Sequence, residues 1–189
     1  MLKKKIARII SEISNGFLTM ILTPVIAVNI STLQTKNKII YTIIYILIPT
    51  LPFTILRKLG RITDYEFTKR EERPPYFTLI SLLFGITYLA IESFNIDTLT
   101  NISLNLYIVS SVITLITFLW KISGHMTYST LLFITLIYLF PTNPYLFLLF
   151  LFSPLIAWSR IVLEKHTLSQ VTLGTLVTLF ISILIYWGF

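Results

Sequence analysis

Residues 146–152 have the sequence Leu-Phe-Leu-Leu-Phe-Leu-Phe, a continuous apolar run without alternating polar side chains. A transmembrane strand alternates over about ten residues, whereas a membrane-spanning helix needs about 20 mostly apolar residues. The pattern therefore predicts an all-α fold, a polytopic transmembrane helical bundle of six to seven spans, in one integral-membrane domain over residues 1–189. Outward from this run, the chain contains seven apolar windows near the required length: 13–32, 39–56, 77–94, 102–120, 126–141, 145–161 and 167–187.

The composition excludes a water-soluble fold. Of the 189 residues, 55% are hydrophobic and only 12% are charged, whereas soluble domains carry about 25% charged residues. The basic N-terminus resembles a signal sequence, but no small-residue cleavage site closes the apolar stretch that starts at Ile6. We therefore expect an uncleaved first span. The absence of cysteine excludes disulfides, thiolate metal sites and cysteine nucleophiles.

The positive charge follows the predicted spans. The net charge is +7, and twelve of the fifteen Lys and Arg residues lie at or before residue 73, beside span ends. This placement indicates contact with membrane lipids and predicts no nucleic-acid partner. The loops 95–101 and 141–144 contain no Lys or Arg, so the charge distribution places them outside and the basic loops in the cytoplasm.

One connection, residues 57–76, is long and polar. Within it, Glu66, Lys69, Arg70 and Arg73 recur at helical spacing before a proline. A solvated, salt-bridged helical turn at the membrane surface explains such a mixed charge run. The alternative is that these residues belong to a functional site.

The two histidines lie at the ends of predicted spans, His125 after a Ser-Gly pair and His166 shortly after Arg160. Seven spans place both histidines, and also Arg73, at one face of the membrane. Such a set suits phosphoryl transfer, because guanidiniums bind phosphate while one imidazole attacks phosphorus and the other protonates the departing alkoxide. This scheme requires no cofactor, and the scattered acidic residues offer no convincing metal-ligand set.

At these residues the sequence resembles the type 2 phosphatidic acid phosphatase superfamily, membrane lipid phosphatases related to the vanadium haloperoxidases. The family's pattern is Lys-x6-Arg-Pro, then Pro-Ser-Gly-His, then Ser-Arg-x5-His-x3-Asp. The resemblance covers residues 66–174. The matching blocks are Arg73-Pro74, Ser123-Gly124-His125 and Ser159-Arg160-x5-His166-x3-Gln170.

The resemblance implies a role for each matched residue. It implies that His166 is the nucleophile that forms a phosphohistidine and that His125 is the general acid. The residues that it implies for phosphate binding are Arg73, Arg160, Ser123 and Gly124.

The sequence departs from the family pattern at two charged positions. Glu66 stands where the family has its first lysine, so we expect Lys69 or Arg70 to supply that positive charge. Gln170 stands where the family has aspartate. The Gln170 amide oxygen can orient the catalytic imidazole but stabilises an imidazolium less than a carboxylate does, and Glu164 is an alternative orienting acid.

The expected function is that of a metal-independent membrane phosphatase acting on a lipid phosphomonoester or pyrophosphate in a prokaryotic cell membrane. Phosphatidate, phosphatidylglycerophosphate and polyprenyl phosphate are the candidate substrate classes, and the oligomeric state stays open. The family often has its pocket on the outer face, opposite to the side that the charge distribution indicates. Two alternatives remain: an intramembrane prenyltransferase-like enzyme, suggested by Asp64 and Glu66 before Arg73, and an inactive transporter or structural protein with a degenerate pocket.

Overall fold

The computed structural model describes residues 2–188, and within this range it contains helices and no strand. This confirms the predicted all-α polytopic bundle. The α-helices are α1 (Leu2–Ile13), α2 (Gly16–Ile30), α3 (Thr35–Lys58), α4 (Arg73–Glu92), α5 (Asp97–Leu119), α6 (Gly124–Leu139), α7 (Phe152–Val162) and α8 (Leu168–Trp187). Six helical segments are long and apolar enough to span a membrane: Leu2–Ile30, Thr35–Lys58, Arg70–Glu92, Asp97–Leu119, Pro144–Val162 and Leu168–Trp187.

Packing divides the chain into two compact units. The first unit joins Met1–Thr23 to Lys121–Phe189, and the second unit is Pro24–Trp120. The first unit therefore combines the N-terminal helix with the C-terminal third of the chain. Both histidines belong to it.

The N-terminal segment differs from the prediction of a single span over 13–32. Two helices meet at Ser14 and Asn15, because the Asn15 side chain accepts a hydrogen bond from the Phe17 amide (2.8 Å) and begins α2 anew. The preceding helix α1 is amphipathic, and its small residues Ala7 and Ser11 are buried. Its charged residues and the apolar stripe of Leu2, Ile6, Ile9 and Ile13 are exposed. Such a division of faces is typical of helices that lie along a membrane surface.

The start of α2 lies directly against the start of α6. A Cβ atom on Gly16 would stand 2.8 Å from the Gly124 carbonyl oxygen and 3.0 Å from the His125 backbone nitrogen. Both neighbours are backbone atoms that cannot move aside. Glycine at position 16 therefore permits the close contact that fixes the first turn of α6.

Helix α6 fills the fifth predicted window and is short, at 16 residues. Most of its side chains are buried, and near its end Thr135 shares a hydrogen bond with Tyr186 of α8 (2.7 Å). Interhelical hydrogen bonds of this kind contribute to helix association in membranes. Because protein surrounds α6 on several sides, its polar residues avoid lipid despite the helix's overall apolar character.

The apolar run 146–152 lies in a 3-10 helix over Pro144–Leu151 and in the first residue of α7, into which this helix leads. Asn143 begins it by accepting a hydrogen bond from the Tyr145 amide (3.2 Å), and none of its residues is buried. The prediction of helical structure without strand alternation is confirmed here. The periodicity differs, since the first eight residues wind more tightly than an α-helix.

In the second unit, α3, α4 and α5 pack together through polar contacts as well as apolar ones. Tyr45 and Ser103 share a hydrogen bond (2.9 Å), as do Ser81 and Ser111 (2.7 Å). Between Arg73-Pro74 and the Ser-Gly-His block the chain contains the rest of α4, which begins at Arg73, and all of α5.

Candidate active site

The site in the first unit begins where the N-termini of α6 and α8 meet. Ser123 is the N-cap of α6, and its side-chain oxygen accepts a hydrogen bond from the Met126 amide (3.4 Å). The Ser123 amide in turn donates to the Gln170 carbonyl in the first turn of α8 (3.4 Å). His125 is the second residue of α6, and His166 directly precedes Thr167, the N-cap of α8. Both histidines therefore lie at adjoining helix N-termini, where backbone N–H groups favour an anion.

The spacing between Arg160 and His166 follows from the turn that joins α7 to α8. Arg160 lies in the last turn of α7, and its carbonyl accepts hydrogen bonds from the amides of Lys165 (3.0 Å) and His166 (3.4 Å). Glu164 takes a left-handed conformation (φ 57°) that reverses the chain. The five intervening residues thus form a closed turn that holds His166 beside the end of α7.

The Arg160 side chain is buried, with 1% of the residue exposed. Its Nη1 donates a hydrogen bond to His125 Nε2 (3.3 Å) and another to the Ser11 hydroxyl of α1. A buried guanidinium requires such partners, because an unpaired charge is costly to remove from water. Arg160 consequently presents a permanent positive charge directly beside an imidazole.

His166 is oriented by Gln170. Its Nδ1 lies 3.0 Å from the Gln170 Oε1, which also accepts a hydrogen bond from the Thr167 amide (3.2 Å) in a capping box. An amide oxygen accepts hydrogen bonds only, so the Nδ1 carries the proton and the lone pair of a neutral His166 lies on Nε2. This is the tautomer that a nucleophilic imidazole needs.

Glu164, the alternative orienting acid, has a different partner in the structure. Its carboxylate pairs with Lys4 of α1 (3.0 Å), and both side chains are largely exposed. Among residues 2–188, no group of three or more His, Cys, Asp or Glu side chains is arranged to bind a metal ion.

Ser11 is the site residue that sequence analysis missed. It is buried, its hydroxyl accepts from Arg160, and its oxygen lies 3.5 Å from His125 Nε2. The available signal was the pair of small residues Ala7 and Ser11, one helical turn apart in a helix otherwise made of long charged and apolar side chains.

The remaining candidate residues belong to the second unit. Arg73 is the first residue of α4, is buried, and donates from Nε to the Phe67 carbonyl (3.0 Å). Arg70 donates to the Leu119 carbonyl at the end of α5 (2.7 Å), and Lys69 lies 4.0 Å from the Glu72 carboxylate. Arg70 thus caps the C-terminus of α5, a position that suits a cation.

The helical spacing proposed for the loop 57–76 is wrong over its first part. The Asp64 carboxylate accepts hydrogen bonds from the amides of Glu66 (2.9 Å) and Thr68 (3.3 Å), which closes a tight turn. Phe67 has a positive φ of 50°, and only Arg70–Glu72 form a 3-10 turn before α4. Glu66 therefore does not share a helix with the three basic residues.

Comparison with known proteins gives one finding on the family. The family model described as the PAP2 superfamily matches residues 76–189, more than half of the chain. That superfamily is a family of phosphatases. No curated protein and no solved structure matches the chain.

The shared role of the Gln170 side chain predicts the behaviour of two variants. Gln170→Leu removes the acceptor for both His166 and the Thr167 amide, and we expect it to lower the free energy of unfolding by about 1 kcal/mol. Gln170→Glu keeps an oxygen in place beside a helix N-terminus and should preserve stability. Thermal unfolding in detergent measures both, with the exposed Thr172→Ala as control. Equal loss in the Leu and Glu variants would contradict the capping role.

Proposed function

Because this chain belongs to the PAP2 superfamily, we propose that it is a metal-independent membrane phosphatase that removes phosphate from a lipid phosphomonoester or pyrophosphate. The observation that carries the proposal is the buried Arg160 hydrogen-bonded to His125 (3.3 Å), with His166 held by the same arginine's carbonyl. A fixed cation beside one imidazole, with the second histidine in the turn that follows it, suits an enzyme that positions a phosphate and stabilises its developing charge.

The proposed reaction has two steps. In the first, His166 Nε2 bonds to phosphorus while the bond from phosphorus to the lipid alkoxide breaks, and protonated His125 donates its proton to that alkoxide. In the second, His125 takes a proton from water, the resulting hydroxide attacks the phosphohistidine, and the P–N bond breaks to release phosphate. The incoming phosphate takes over the N–H groups with which Arg160 now contacts His125, so that His125 can serve as acid.

The other phosphate-binding assignments rest on different grounds. Ser123 and Gly124 begin α6 beside His125, where a helix N-terminus offers amide donors to an anion. Arg73 is assigned by its match to the family's first block. Arg70, engaged with the end of α5, and Lys69 are the basic residues nearest to it in sequence.

An apolar cavity of about 210 Å³ in the first unit supports a lipid substrate. Its lining includes Met126, the residue after His125, and Leu168, two residues after His166. An apolar cavity whose lining includes residues close in sequence to both histidines suits a hydrocarbon tail whose phosphate lies at the helix N-termini. The rest of the lining comes from α7 and α8: Ser153, Pro154, Ala157, Val171, Thr172, Thr175 and Leu176.

The central test is phosphate release from a panel of lipid phosphates by the purified protein in detergent. We expect activity without added metal, unaffected by EDTA and inhibited by orthovanadate, which adopts the five-coordinate geometry of the transition state. His166→Ala should lower kcat by about 10³-fold or more, because it removes the nucleophile. Unchanged turnover in this variant would refute the mechanism, strict magnesium dependence would favour the prenyltransferase-like alternative, and no turnover of any substrate would favour the inactive protein.

The acid role of His125 predicts a dependence on the leaving group. His125→Ala should lower kcat by about 10²-fold for a lipid phosphate, whose alkoxide needs a proton to depart. The loss should be much smaller for nitrophenyl phosphate, because nitrophenolate departs without protonation. Steady-state kinetics on both substrates measures the difference. An equal loss would assign His125 to phosphate binding instead.

The tail-binding role of the cavity predicts a selective effect on KM. Ala157→Trp places a bulky ring in the cavity and should raise KM for a long-chain lipid phosphate by about tenfold, the equivalent of 1.4 kcal/mol. KM for nitrophenyl phosphate should stay the same. Leu155→Trp, at an exposed position of the same helix, is the matched control. Equal changes for both substrates would argue against a tail in this cavity.

A further inference from the structure

The position of Ser11 is unusual for a residue of an N-terminal amphipathic helix. Only 3% of the residue is exposed, and its hydroxyl meets both Arg160 Nη1 and His125 Nε2. Since the arginine donates to the imidazole nitrogen as well, that nitrogen is an acceptor, and the Ser11 oxygen lies 3.5 Å from it. One hydroxyl thus lies between the fixed cation and the imidazole assigned as general acid.

We propose that Ser11 is a phosphate-binding residue, and that α1 completes the active site by supplying this hydroxyl; the inference rests on the proposed function. A phosphate oxygen that takes a hydrogen bond from Arg160 Nη1 beside His125 lies next to the Ser11 oxygen, because Nη1 contacts both Ser11 and His125 Nε2. A serine hydroxyl rotates freely and both accepts and donates. When phosphate binds, the hydroxyl donates its proton to a phosphate oxygen.

The packing of α1 supports a hydroxyl that remains in the site during binding. Ala7, one turn before Ser11, is fully buried, and α1 packs along α7, the helix that carries Arg160. Lys4 pairs with Glu164 in the turn after α7 (3.0 Å). At its other end, α1 continues through two residues into α2, whose Gly16 contacts the start of α6. The exposed ion pair adds little, but the buried packing of Ala7 against α7 and the short link to α2 hold Ser11 beside Arg160.

A neighbouring serine provides a matched control. Ser14 directly follows α1 and is also buried, but its hydroxyl donates to the Ile10 carbonyl of α1 (2.7 Å). Replacement of either serine by alanine removes one hydroxyl and leaves a small side chain. The two variants therefore separate the loss of a ligand contact from a general effect on helix packing.

The experiment measures orthovanadate binding by calorimetry in detergent, together with kcat/KM for a lipid phosphate. We expect Ser11→Ala to weaken vanadate binding and to lower kcat/KM, each by roughly 10- to 100-fold, the effect of losing a hydrogen bond to a charged group. Ser14→Ala should change both by less than about twofold. Because Ser11→Ala also removes a hydrogen bond from the buried Arg160, its melting temperature should fall. Binding and turnover are therefore measured at a temperature at which circular dichroism shows both variants fully folded, which excludes a folding defect.

Other results overturn the inference. Vanadate affinity unchanged in Ser11→Ala would show that the hydroxyl does not bind phosphate. Tighter binding and faster turnover would show that Ser11 obstructs the site and that α1 acts as a lid. The experiment distinguishes failure of this inference from failure of the proposed function. If His166→Ala has no turnover but Ser11→Ala has wild-type vanadate affinity and kcat/KM, only this inference is refuted. A fully active His166→Ala removes the mechanism, while vanadate binding still decides the role of Ser11.

Discussion

The buried charge of Arg160 is the constraint on which the site of the first unit depends. A guanidinium that is 1% exposed must be hydrogen-bonded, and its partners come from far apart in the chain: Ser11, 149 residues away, and His125, 35 residues away. Its carbonyl also holds the His166 amide. Loss of this side chain would therefore leave α1 and the start of α6 without their common partner, whereas the carbonyl contacts in the turn before α8 would remain. Lysine cannot replace it, because a single ammonium lacks the planar fork of donors.

The second element of the site is a set of close backbone approaches at helix starts. Gly16 touches Gly124 and the His125 nitrogen, and a Cβ on Gly174 would stand 3.0 Å from the Ser123 carbonyl. Two glycines on different helices thus border the Ser-Gly-His block. They allow α2 and α8 to pack against the first turn of α6. This packing holds the backbone amide groups of that turn in a fixed direction. Such preorganised donors stabilise an anion without rearranging when it binds.

Most of the fold follows from apolar length alone, because a helix is the simplest structure that satisfies its own backbone in lipid. The short-range geometry of the site could also be predicted from the sequence, because the spacing from Arg160 to His166 fits one closed turn.

Two features were not predictable. Helix α1 escaped notice because its apolar stripe continues into the next apolar run, and only the Asn15 cap separates them. The contact from Ser11 to Arg160 spans 149 residues, and no local pattern reports a pairing at that distance. The prediction of helical spacing in residues 57–76 was wrong at Glu66, because the Asp64 side chain can accept the hydrogen bonds that close a turn in place of the backbone.

The amide at position 170 changes the electrostatic character that the proposed chemistry has available. In the family pattern a carboxylate stands there and partly offsets the charge of the arginine in the same block. Here Gln170 orients His166 through a contact of 3.0 Å, but adds no negative charge. The net effect favours binding of a phosphate dianion and disfavours an imidazolium at His166. The same replacement of a carboxylate by an amide therefore raises the phosphate affinity and weakens the stabilisation of a positive charge on the histidine. The helix N-termini at the site are positive, so they have the same effect as the loss of the carboxylate: both make the site more positive. A hydroxyl donor such as Ser11, which adds no charge, therefore complements this site better than a further cation would.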